Sequence, residues 1–379
     1  DINLDDATGR RVTSVRYADE GDWAVRQRGF NDLTHRGWTW YAPHDGLGKS
    51  LELINPVLPN GLGQNWASSV PTNGTPGRAN SVLSNNVPPL ILEVRHFPVI
   101  PKSTESVQIT ARLVDEALPS VNVTLYHRVD ATTTNAFAAV PMTDDGLGGD
   151  AAAGDALYSA TLPARPNNTV VEFYVQATDL QGRVRTWPGP AIAATDGVGP
   201  TGQVANALYQ VDDLTYNPPN NQPLYKLIMT ATEEAELRGI PCSSSQNSDA
   251  QMNGTFISID TSGTELRYRV GFRNRGHGSR CPAIAGTPNY HVGFCSDDQW
   301  KGVTALNLNS QTAHIQHLGS VLARKAGAVG ADSIAVQIRV NNVARTPTFG
   351  SYAANEVVNS DWSARHFPFD PNGNIYRTV

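Results

Sequence analysis

The middle of the chain alternates apolar and polar residues with a period of two. The alternation is clearest in SVQITARLVD, VNVTLYHRV and VVEFYVQATD, and Gly, Pro and Asp turn residues separate these segments. Side chains of a β-strand point alternately to the two faces of a sheet, so each segment would bury one face. From Pro89 to about Pro190 the pattern therefore predicts a β-sandwich of about 100 residues.

The first 83 residues carry weaker strand signals between turn-rich stretches. RRVTSVRY places Val12, Val15 and Tyr17 close to an alternating pattern, and SLELINP is a second short strand that ends at a proline. The loop GWTWYAPHDGLGK lies between them, and NWASSVPTNGTPGRAN consists mainly of turn residues. Turn residues at these positions predict short strands joined by long loops.

From Tyr225 onward the pattern mixes strands with helices. YKLIMTA, VTALNLNS and IAVQIRVNN are typical of strands, FISIDTSGTELRYRVGFRNRG of a strand pair, and TEEAELRG of a short helix. Helical spacing is shown by Ile315, Leu318, Leu322 and Ala326, with Gly327 closing the helix. This part of the chain is predicted to be a mixed α+β unit.

A family resemblance appears in the first region. The stretch DGLGKSLELINP followed by NWASSVPTNGTPGRAN resembles the second half of a lamin-tail domain, which is an immunoglobulin-like sandwich. The matching residues are Asp45, Gly46, Ser50, Leu51, Glu52, Leu53, Trp66, Ser69, Gly74, Thr75, Pro76, Gly77 and Asn80. The family's opening strand is not present, so the resemblance implies a sandwich truncated at its N-terminus. Its missing strands would leave an exposed edge.

The middle module resembles an immunoglobulin-like domain common in large exported bacterial proteins, through PMTDDGLGGDAAAGDALYSATLPA and VEFYVQATDLQGR. The order of motifs after Tyr225 resembles the N-terminal part of the CotH family, an atypical protein-kinase-like fold. The family's Arg-x-Arg-Gly-x-Ser-Ser segment matches Arg273, Arg275, Gly276 and Ser279, with Gly278 at the first Ser. Its Asn-Gly…Gly-x-Tyr…Glu segment matches Asn341, Gly350, Tyr352 and Glu356, with Asn342 where Gly is usual. Its Gly-Asn-Leu-Tyr-Lys segment matches Gly373, Asn374, Ile375, Tyr376 and Arg377.

These patterns together predict a mainly β chain: two immunoglobulin-like β-sandwiches followed by an incomplete α+β kinase-like domain. The expected domains are residues 1–83, 84–200 and 201–379. The chain opens without an initiator Met and stops at GNIYRTV, so we expect an internal piece of a longer exported bacterial protein.

Composition and charge narrow the classes of partner. The 379 residues carry a net charge of −6, which gives no basic footprint for nucleic acid. Charged residues are only 17% while Gly and Pro are abundant, as in loop-rich β proteins. No apolar run reaches the roughly 18 residues of a membrane-spanning helix. The resemblances, and not the composition, imply other extracellular or surface proteins as partners, including copies of the chain itself.

The three cysteines, Cys242, Cys281 and Cys295, have no zinc-ligand spacing. One disulfide fits an exported protein, and Cys281–Cys295 would close the shortest loop. Three ordinary thiols are the alternative.

A candidate calcium site lies in DDGLGGDAAAGD. Asp144, Asp145, Asp150 and Asp155 place four carboxylates among glycines, and Ca²⁺ takes several oxygen ligands. The spacing is not that of an EF-hand. The alternative is a solvated turn in which aspartates cap backbone amides.

A candidate nucleotide site follows from the CotH resemblance. Kinase chemistry needs a cation at the ATP phosphates and acidic residues on Mg²⁺. Arg273, Arg275 and Arg280 would supply the cations, and Glu356 would orient one as its ion-pair partner. The family's Lys is absent from CPAIAGTPNYHVGF, and its catalytic acids lie beyond Val379. No catalytic residue is therefore assigned, and structural ion pairing of the arginines is the alternative.

The resemblances imply an extracellular or cell-surface protein, with ATP-dependent protein kinase activity in its full-length form. A structural subunit of a filament, sheath or matrix is one alternative. A carbohydrate-binding or adhesion module is another, with Trp38, Trp40 and Tyr41 as a platform for sugar rings.

Overall fold

The computed structural model describes residues 2–131, 136–147, 150–216, 222–241, 247–276, 280, 288–341 and 351–376. The chain is mainly β, with 39% of residues in strands and 10% in helices, which confirms the broad fold class. It forms two compact units. The sandwich unit contains Asp1–Arg28 and Thr39–Val211, and the barrel unit contains Gly29–Trp38 and Asp212–Val379.

The N-terminal part contains six short strands: β1 (Ile2–Asp5), β2 (Arg11–Val15), β3 (Val25–Arg28), β4 (Trp38–Tyr41), β5 (Leu51–Leu53) and β6 (Trp66–Ser68). They form three separate two-stranded sheets, β1–β2, β3–β4 and β5–β6. The lamin-tail-like sandwich expected over residues 1–83 stays a prediction. Strands of three to five residues bury few side chains, so loops supply much of the packing here.

The middle region, predicted to be a complete β-sandwich from Pro89 to about Pro190, forms a β-sandwich. Its strands are β7 (Leu90–Phe97), β8 (Val107–Val114), β9 (Asn122–Val129), β10 (Ala138–Met142), β11 (Leu157–Leu162), β12 (Val170–Thr178), β13 (Val184–Trp187) and β14 (Ala207–Gln210). One sheet has the order β11-β8-β7; the other has the order β10-β9-β12-β13, with β14 also pairing with β12. Ile109, Leu125 and Phe173 are fully buried between them, as the alternation predicts.

The barrel unit closes seven strands into a barrel with the order β15-β16-β17-β18-β19-β21-β20. Its strands are β15 (Leu224–Ile228), β16 (Met252–Asp260), β17 (Gly263–Asn274), β18 (Tyr290–Gly293), β19 (Ala305–Asn309), β20 (Ser333–Val340) and β21 (Ser351–Glu356). The pair β15–β20 is parallel, and the other neighbours are antiparallel. The helices are α1 (Ala231–Gly239), α2 (Ala313–Lys325) and α3 (Ser360–His366). No helix in the described part of the chain has the length and apolarity to cross a membrane.

Aromatic side chains fill much of the barrel core. The ring of Phe256 meets those of Tyr225, Phe294 and Trp300 edge-on, with centroids 5.1–5.7 Å apart. Edge-to-face contacts of this kind add to the hydrophobic gain from burying large rings. The predicted strands and helices after Tyr225 are confirmed, but their assembly is a closed barrel; the kinase-like arrangement expected for this region is not established.

A segment remote in sequence completes the barrel unit. Within Gly29–Trp38, the Trp38 amide donates to the Gln251 carbonyl at 2.7 Å, and its indole Nε1 donates to Glu233 at 2.8 Å. A Cβ at Gly37 would lie 2.0 Å from the Gln251 nitrogen, so only glycine permits this approach. The segment is therefore part of the barrel unit's structure, despite nearly 200 intervening residues.

Helix α2 presents an unusual face to the barrel. Its polar residues hold it there: Gln316 accepts from Asn355 at 2.8 Å, and His317 Nδ1 lies 2.8 Å from the Ser333 carbonyl. Ile315, Leu318 and Leu322, which form its apolar stripe, are 56–58% exposed. An apolar stripe ordinarily faces the core. The predicted helix is thus confirmed, while its apolar face points away from the barrel.

Candidate functional site

The arginine cluster, defined as Arg273, Arg275 and Arg280, lies at one end of β17. Phe272 belongs to the barrel core, so Arg273 points to the opposite face of the sheet. The Arg275 amide continues the ladder past β17 by donating to the Asn289 carbonyl at 3.1 Å. Spacing of two residues along extended backbone therefore places Arg273 and Arg275 on the same face.

Asp249 links two members of the cluster. Its Oδ1 lies 2.9 Å from Arg273 Nη1 and 2.6 Å from Arg280 Nη2. The Asp249 amide in turn donates to Asp32 at 2.6 Å, which ties this contact to the Gly29–Trp38 segment. Two guanidinium groups on one carboxylate leave a local excess of positive charge.

Arg280 is the structural member of the cluster. It is only 6% exposed, and it donates to the carbonyls of Ser248 at 2.5 Å and Gly276 at 2.9 Å. These bonds hold the loop backbone next to β17. The alternative reading, a structural arginine, describes Arg280 well.

Arg275 belongs to a polar network over the outer face of the sheet. It donates to the amide oxygen of Asn309, whose Nδ2 donates to Gln316 Oε1 at 2.6 Å. Asn355 donates to the same Gln316 oxygen at 2.8 Å. The network joins the arginine to α2 through the side-chain amides of Asn309 and Gln316.

His291 lies beside Arg273 on the neighbouring strand. It is the register partner of Arg273, and its Nδ1 lies 3.0 Å from Asn307 Oδ1. Burial lowers the pKa of His291 to about 4, and the charges of Arg273 and Arg275 act in the same direction against the Asn307 hydrogen bond. The imidazole is therefore neutral at pH 7, beside two permanent cations.

Glu356 lies elsewhere in the barrel. It ends β21 opposite Leu306, a core residue, whereas the arginine cluster faces away from the core. Glu356 pairs with Arg365 at 2.9 Å and with His366 Nε2 at 2.9 Å, both from α3. The structure thus brings the three arginines together but does not place Glu356 with them; its partners Arg365 and His366 come from α3.

The remaining motif positions of the CotH resemblance are only partly described. Ser279, Gly278, Asn342, Gly350 and Arg377 lie outside the described residues. Tyr352 is buried in the barrel core, where its hydroxyl donates to the Pro288 carbonyl at 3.2 Å.

The aspartate loop brings three of its four carboxylates together. Ligand oxygens of Asp144, Asp150 and Asp155 lie within 4.8 Å of one another, and Asp150 is buried. Asp145 is outside this group and caps the amide of Leu147 at 2.9 Å. Such a set of oxygen donors suits a hard divalent cation.

The same carboxylates also cap the loop's own backbone. Asp144 accepts from the amides of Gly154 at 2.7 Å and Ala156 at 2.9 Å, and Asp150 accepts from Gly146 at 2.6 Å. Asp144 Oδ1 accepts a second amide bond, from Asp155, whereas Asp144 Oδ2 and both oxygens of Asp150 accept one each. Those three oxygens keep a lone pair that a metal could use. Both readings of the loop, calcium site and capped turn, are compatible with this geometry.

Two further candidates, the disulfide and the aromatic sugar platform, lie partly within the described residues. Cys295 is buried and its Sγ lies 3.8 Å from the Arg269 carbonyl, while Cys242 and Cys281 lie outside the described residues. Trp38 is 2% exposed, so its ring faces are covered and it cannot form an open sugar platform. Trp40 lies under the guanidinium of Arg26, 4.7 Å from its ring centre.

Asp249 and His291 were not identified from the sequence. Asp249 follows a polar stretch with no motif, and His291 sits in the segment where the expected lysine is missing. The tertiary pairing of β17 with β18 brings His291 to Arg273. The alternation in NYHVGF is the signal that could have placed His291 on the outer face.

No family model matches the chain, and no curated protein sequence matches it. Among solved structures it is similar to the cycloalternan-forming enzyme from Listeria monocytogenes in complex with pentasaccharide substrate, at 8% identity and a TM-score of 0.20, over 57% of this chain and 17% of that one. A protein from Listeria monocytogenes EGD-e in complex with glucose, magnesium and calcium has 8% identity and a TM-score of 0.21, over 58% and 17%. The chain thus spans about a sixth of the length of these proteins. Likeness at these scores carries no argument about fold or function.

Proposed function

We propose that the chain is part of an exported, surface-exposed modular protein whose barrel unit binds the phosphate groups of a nucleotide at the arginine cluster. The observation that carries this proposal is the placement of Arg273 and Arg275 two residues apart on the outer face of the barrel, with His291 as the register partner of Arg273. In a chain with net charge −6, this is a local concentration of positive charge.

Guanidinium groups suit this role because their planar fork matches two phosphate oxygens at once. The side chain of Asp249 is 60% exposed, so it can yield Arg273 to a competing phosphate. Asn309 already orients Arg275. A phosphate between the two arginines would replace one carboxylate contact with several charge-assisted hydrogen bonds.

Phosphoryl transfer is proposed only for the full-length protein, where the CotH resemblance implies ATP and Mg²⁺ as reactant and cofactor. Glu356 is tied to Arg365 and His366, so it has no part in the phosphate site proposed here. The function assigned to this chain is nucleotide binding.

Calorimetric titration of the chain with ATP tests the proposal. Arg275→Ala should weaken binding by about ten- to a hundredfold, because a hydrogen bond to a charged group contributes roughly 1.5–3 kcal/mol. Arg324→Ala, which removes an exposed cation of α2, is the matched control and should change the affinity less than twofold. Wild-type protein that does not bind ATP, or equal losses in both variants, would contradict the proposal.

For the sandwich unit we propose a spacer stabilised by Ca²⁺ at Asp144, Asp150 and Asp155. The supporting observation is the convergence of these three carboxylates within 4.8 Å. With Ca²⁺ bound, this loop would be rigid. Rigidity suits a spacer module, which holds its neighbouring domains at fixed positions along an extended protein.

A structural subunit is the second candidate, favoured by the outward apolar face of α2. Ile315, Leu318 and Leu322 would contribute to a contact between copies of the chain. Light scattering over a range of concentrations should then show self-association that Leu318→Glu abolishes. A monomer at all concentrations would eliminate this candidate.

A further inference from the structure

The outer face of one sheet of the β-sandwich carries a pair of stacked aromatic side chains. Tyr126 of β9 and Tyr174 of β12 are register partners, and their rings stack with centroids 4.8 Å apart and planes 7° apart. Their neighbours Leu125 and Phe173 are buried in the core, whereas both tyrosines are half-buried. The stacked rings therefore stand on the side of the sheet that faces away from the core.

Phe137 extends this aromatic row. Its ring meets that of Tyr174 edge-on at 5.0 Å, and the Arg128 guanidinium lies 4.2 Å from its centre. Arg128 also donates to Glu172 at 2.5 Å, and Glu172 accepts from Asn206 at 2.7 Å. The two charges beside the aromatic row compensate each other, so the row favours a neutral ligand.

The second face of the Tyr126 ring borders a small residue. On the side away from Tyr174 the next strand is β10, where the exposed Ala139 is the register partner of Tyr126. Residues directly opposite each other share a face of the sheet, and a methyl group is too short to cover an aromatic ring. β10 is also the last strand on this side of the sheet. A shelf over Ala139 therefore leaves one face of Tyr126 open to a flat molecule.

Neutral polar groups border this shelf. In the next row of the same face, Pro141 is opposite Thr124, and Thr124 is opposite Gln176. Thr124 and Gln176 are half-buried, so a hydroxyl and an amide reach the surface about 7 Å from the tyrosine row. Both groups can donate and accept hydrogen bonds.

A cavity of about 270 Å³ adjoins the shelf along β10. Pro141, two residues after Ala139, lines it together with the exposed residues Thr143 and Thr161. Among the described lining residues the one charged side chain is Asp145, whose carboxylate accepts hydrogen bonds and repels anions. A molecule longer than a single ring can therefore occupy the shelf and the cavity together.

We propose that this face binds a neutral oligosaccharide, with one pyranose ring on the shelf beside Tyr126 and the next in the cavity beside Pro141. A β-linked glucose unit carries its ring substituents equatorially, so axial C–H bonds make both of its faces apolar. The apolar face packs on the tyrosine ring, as another ring face would. The hydroxyls around its rim donate and accept, and so they can bond with Thr124 and Gln176.

The site belongs to the sandwich unit, whereas the arginine cluster belongs to the barrel unit. The proposal therefore does not depend on nucleotide binding.

Titration calorimetry of the full chain with cellopentaose, a β-linked glucose oligomer, tests the proposal. Sorbitol carries similar hydroxyl groups without a ring and is the control ligand. Cellopentaose should bind with a Kd of about 1 mM or less, and sorbitol should not bind. Tyr126→Ala should weaken cellopentaose binding at least about tenfold because it removes the ring face, whereas Tyr126→Phe keeps the ring and should change the affinity less than about threefold.

Two further variants complete the experiment, and thermal unfolding checks that each is folded. Ala139→Arg covers the open face of Tyr126, because a planar guanidinium stacks on an aromatic ring, and it should weaken binding at least about tenfold. It serves in place of Tyr126→Ala if that variant does not fold. Tyr17→Ala removes a tyrosine of the N-terminal part that is 49% exposed, and it should leave the affinity unchanged.

Three results would overturn the proposal: no binding of cellopentaose, full binding by Ala139→Arg, or an equal loss in Tyr17→Ala. Titration of the same variants with ATP should give the wild-type result, which separates failure of this site from failure of the nucleotide site.

Discussion

The β-sandwich and the barrel are both built largely from antiparallel strands, yet two of these strands, β8 and β15, bury polar groups differently. In the sandwich, β8 alternates strictly between buried and half-buried residues, and its ion pair Arg112–Glu93 lies at the surface. In the barrel, all five residues of β15 are buried, and one of them is Lys226. A sheet face open to water tolerates polar residues at no cost, whereas a strand covered on both faces must pair every one.

Lys226 shows how the barrel meets that requirement. Its ammonium forms an ion pair with Asp212, which also accepts from the Tyr216 hydroxyl, and both charged side chains are fully buried. Burial alone would raise the pKa of Asp212, but the charge and hydrogen bonds of Lys226 and Tyr216 hold it below its usual value. The barrel depends on this one pair far more than the sandwich depends on Arg112–Glu93.

The largest expected effect comes from breaking each ion pair in turn. Lys226→Met should lower the free energy of unfolding of the barrel unit by about 3–5 kcal/mol, because it strands Asp212 as a buried charge. Arg112→Met should cost less than about 1 kcal/mol, as for exposed pairs. Hydrogen exchange of the barrel and sandwich amides measures the two effects separately; similar losses would refute the contrast.

The second largest expected difference between the units is in their stabilisation by Ca²⁺. If Ca²⁺ loads the aspartate loop at about 100 times its Kd, it should stabilise the sandwich unit by about 2.7 kcal/mol. The barrel also gathers Asp332, Glu356 and His366, but its two carboxylates are paired with arginines, so we expect no response there.

The measurement is the melting temperature with Ca²⁺ and with chelator. Asp150→Asn should abolish the calcium-dependent shift, while Asp145→Asn, outside the three-carboxylate group, should retain it. A melting curve that is indifferent to chelator would leave the loop as a capped turn.

Acid should destabilise the sandwich more than the barrel through their buried histidines. Burial lowers the pKa of His96 to about 4, against its hydrogen bond to the Val99 carbonyl. In the unfolded chain, His96 binds a proton as the pH falls through about 6.5, whereas folded His96 stays neutral down to about pH 4. The free energy of unfolding is therefore highest above pH 6.5 and falls between about pH 6.5 and 4. From pH 7 to 5 the loss is about 2 kcal/mol.

His291 has a similarly lowered pKa and should make the barrel unit acid-sensitive as well. The sandwich should lose more stability because burial also lowers the pKa of a second histidine there, His127. Urea unfolding at pH 7 and pH 5, monitored by hydrogen exchange of each unit, measures both. His96→Phe should remove most of the pH dependence of the sandwich unit; an unchanged slope would contradict the assignment.

The smallest effect concerns the buried hydroxyl of Tyr209. Tyr209 is fully buried in the sandwich unit, and its hydroxyl has no partner among the described residues, so Tyr209→Phe should raise the free energy of unfolding by about 1 kcal/mol or less. Thermal unfolding of the sandwich unit checks this. A clear loss of stability would mean that the Tyr209 hydroxyl has an unrecognised partner.

Some of the fold could be predicted from the spacing of apolar residues along the chain, because this spacing shows which face of a strand or helix is apolar. The alternation around Ile109, Leu125 and Phe173 predicted the sandwich, and the spacing of Leu318 and Leu322 predicted α2. The direction of α2 could not be predicted, because its polar side is satisfied by Asn355 and backbone carbonyls from distant strands.

The candidate sites divide in the same way. Arg273 and Arg275 were predicted to act together, and residues two apart on one strand do share a face. Asp249 and His291 come from other segments of the chain, and Glu356 pairs with α3 instead. Contacts between remote segments depend on strand order, which no short motif encodes.

What the amino-acid order determined is therefore the set of strands and helices, the sandwich, and the clusters of like residues that are close in sequence. Closure of the barrel, the burial of Lys226 and the outward face of α2 followed only from the packed structure. The physical reason is that burial of a side chain depends on what covers it, and here the covering groups lie many residues away.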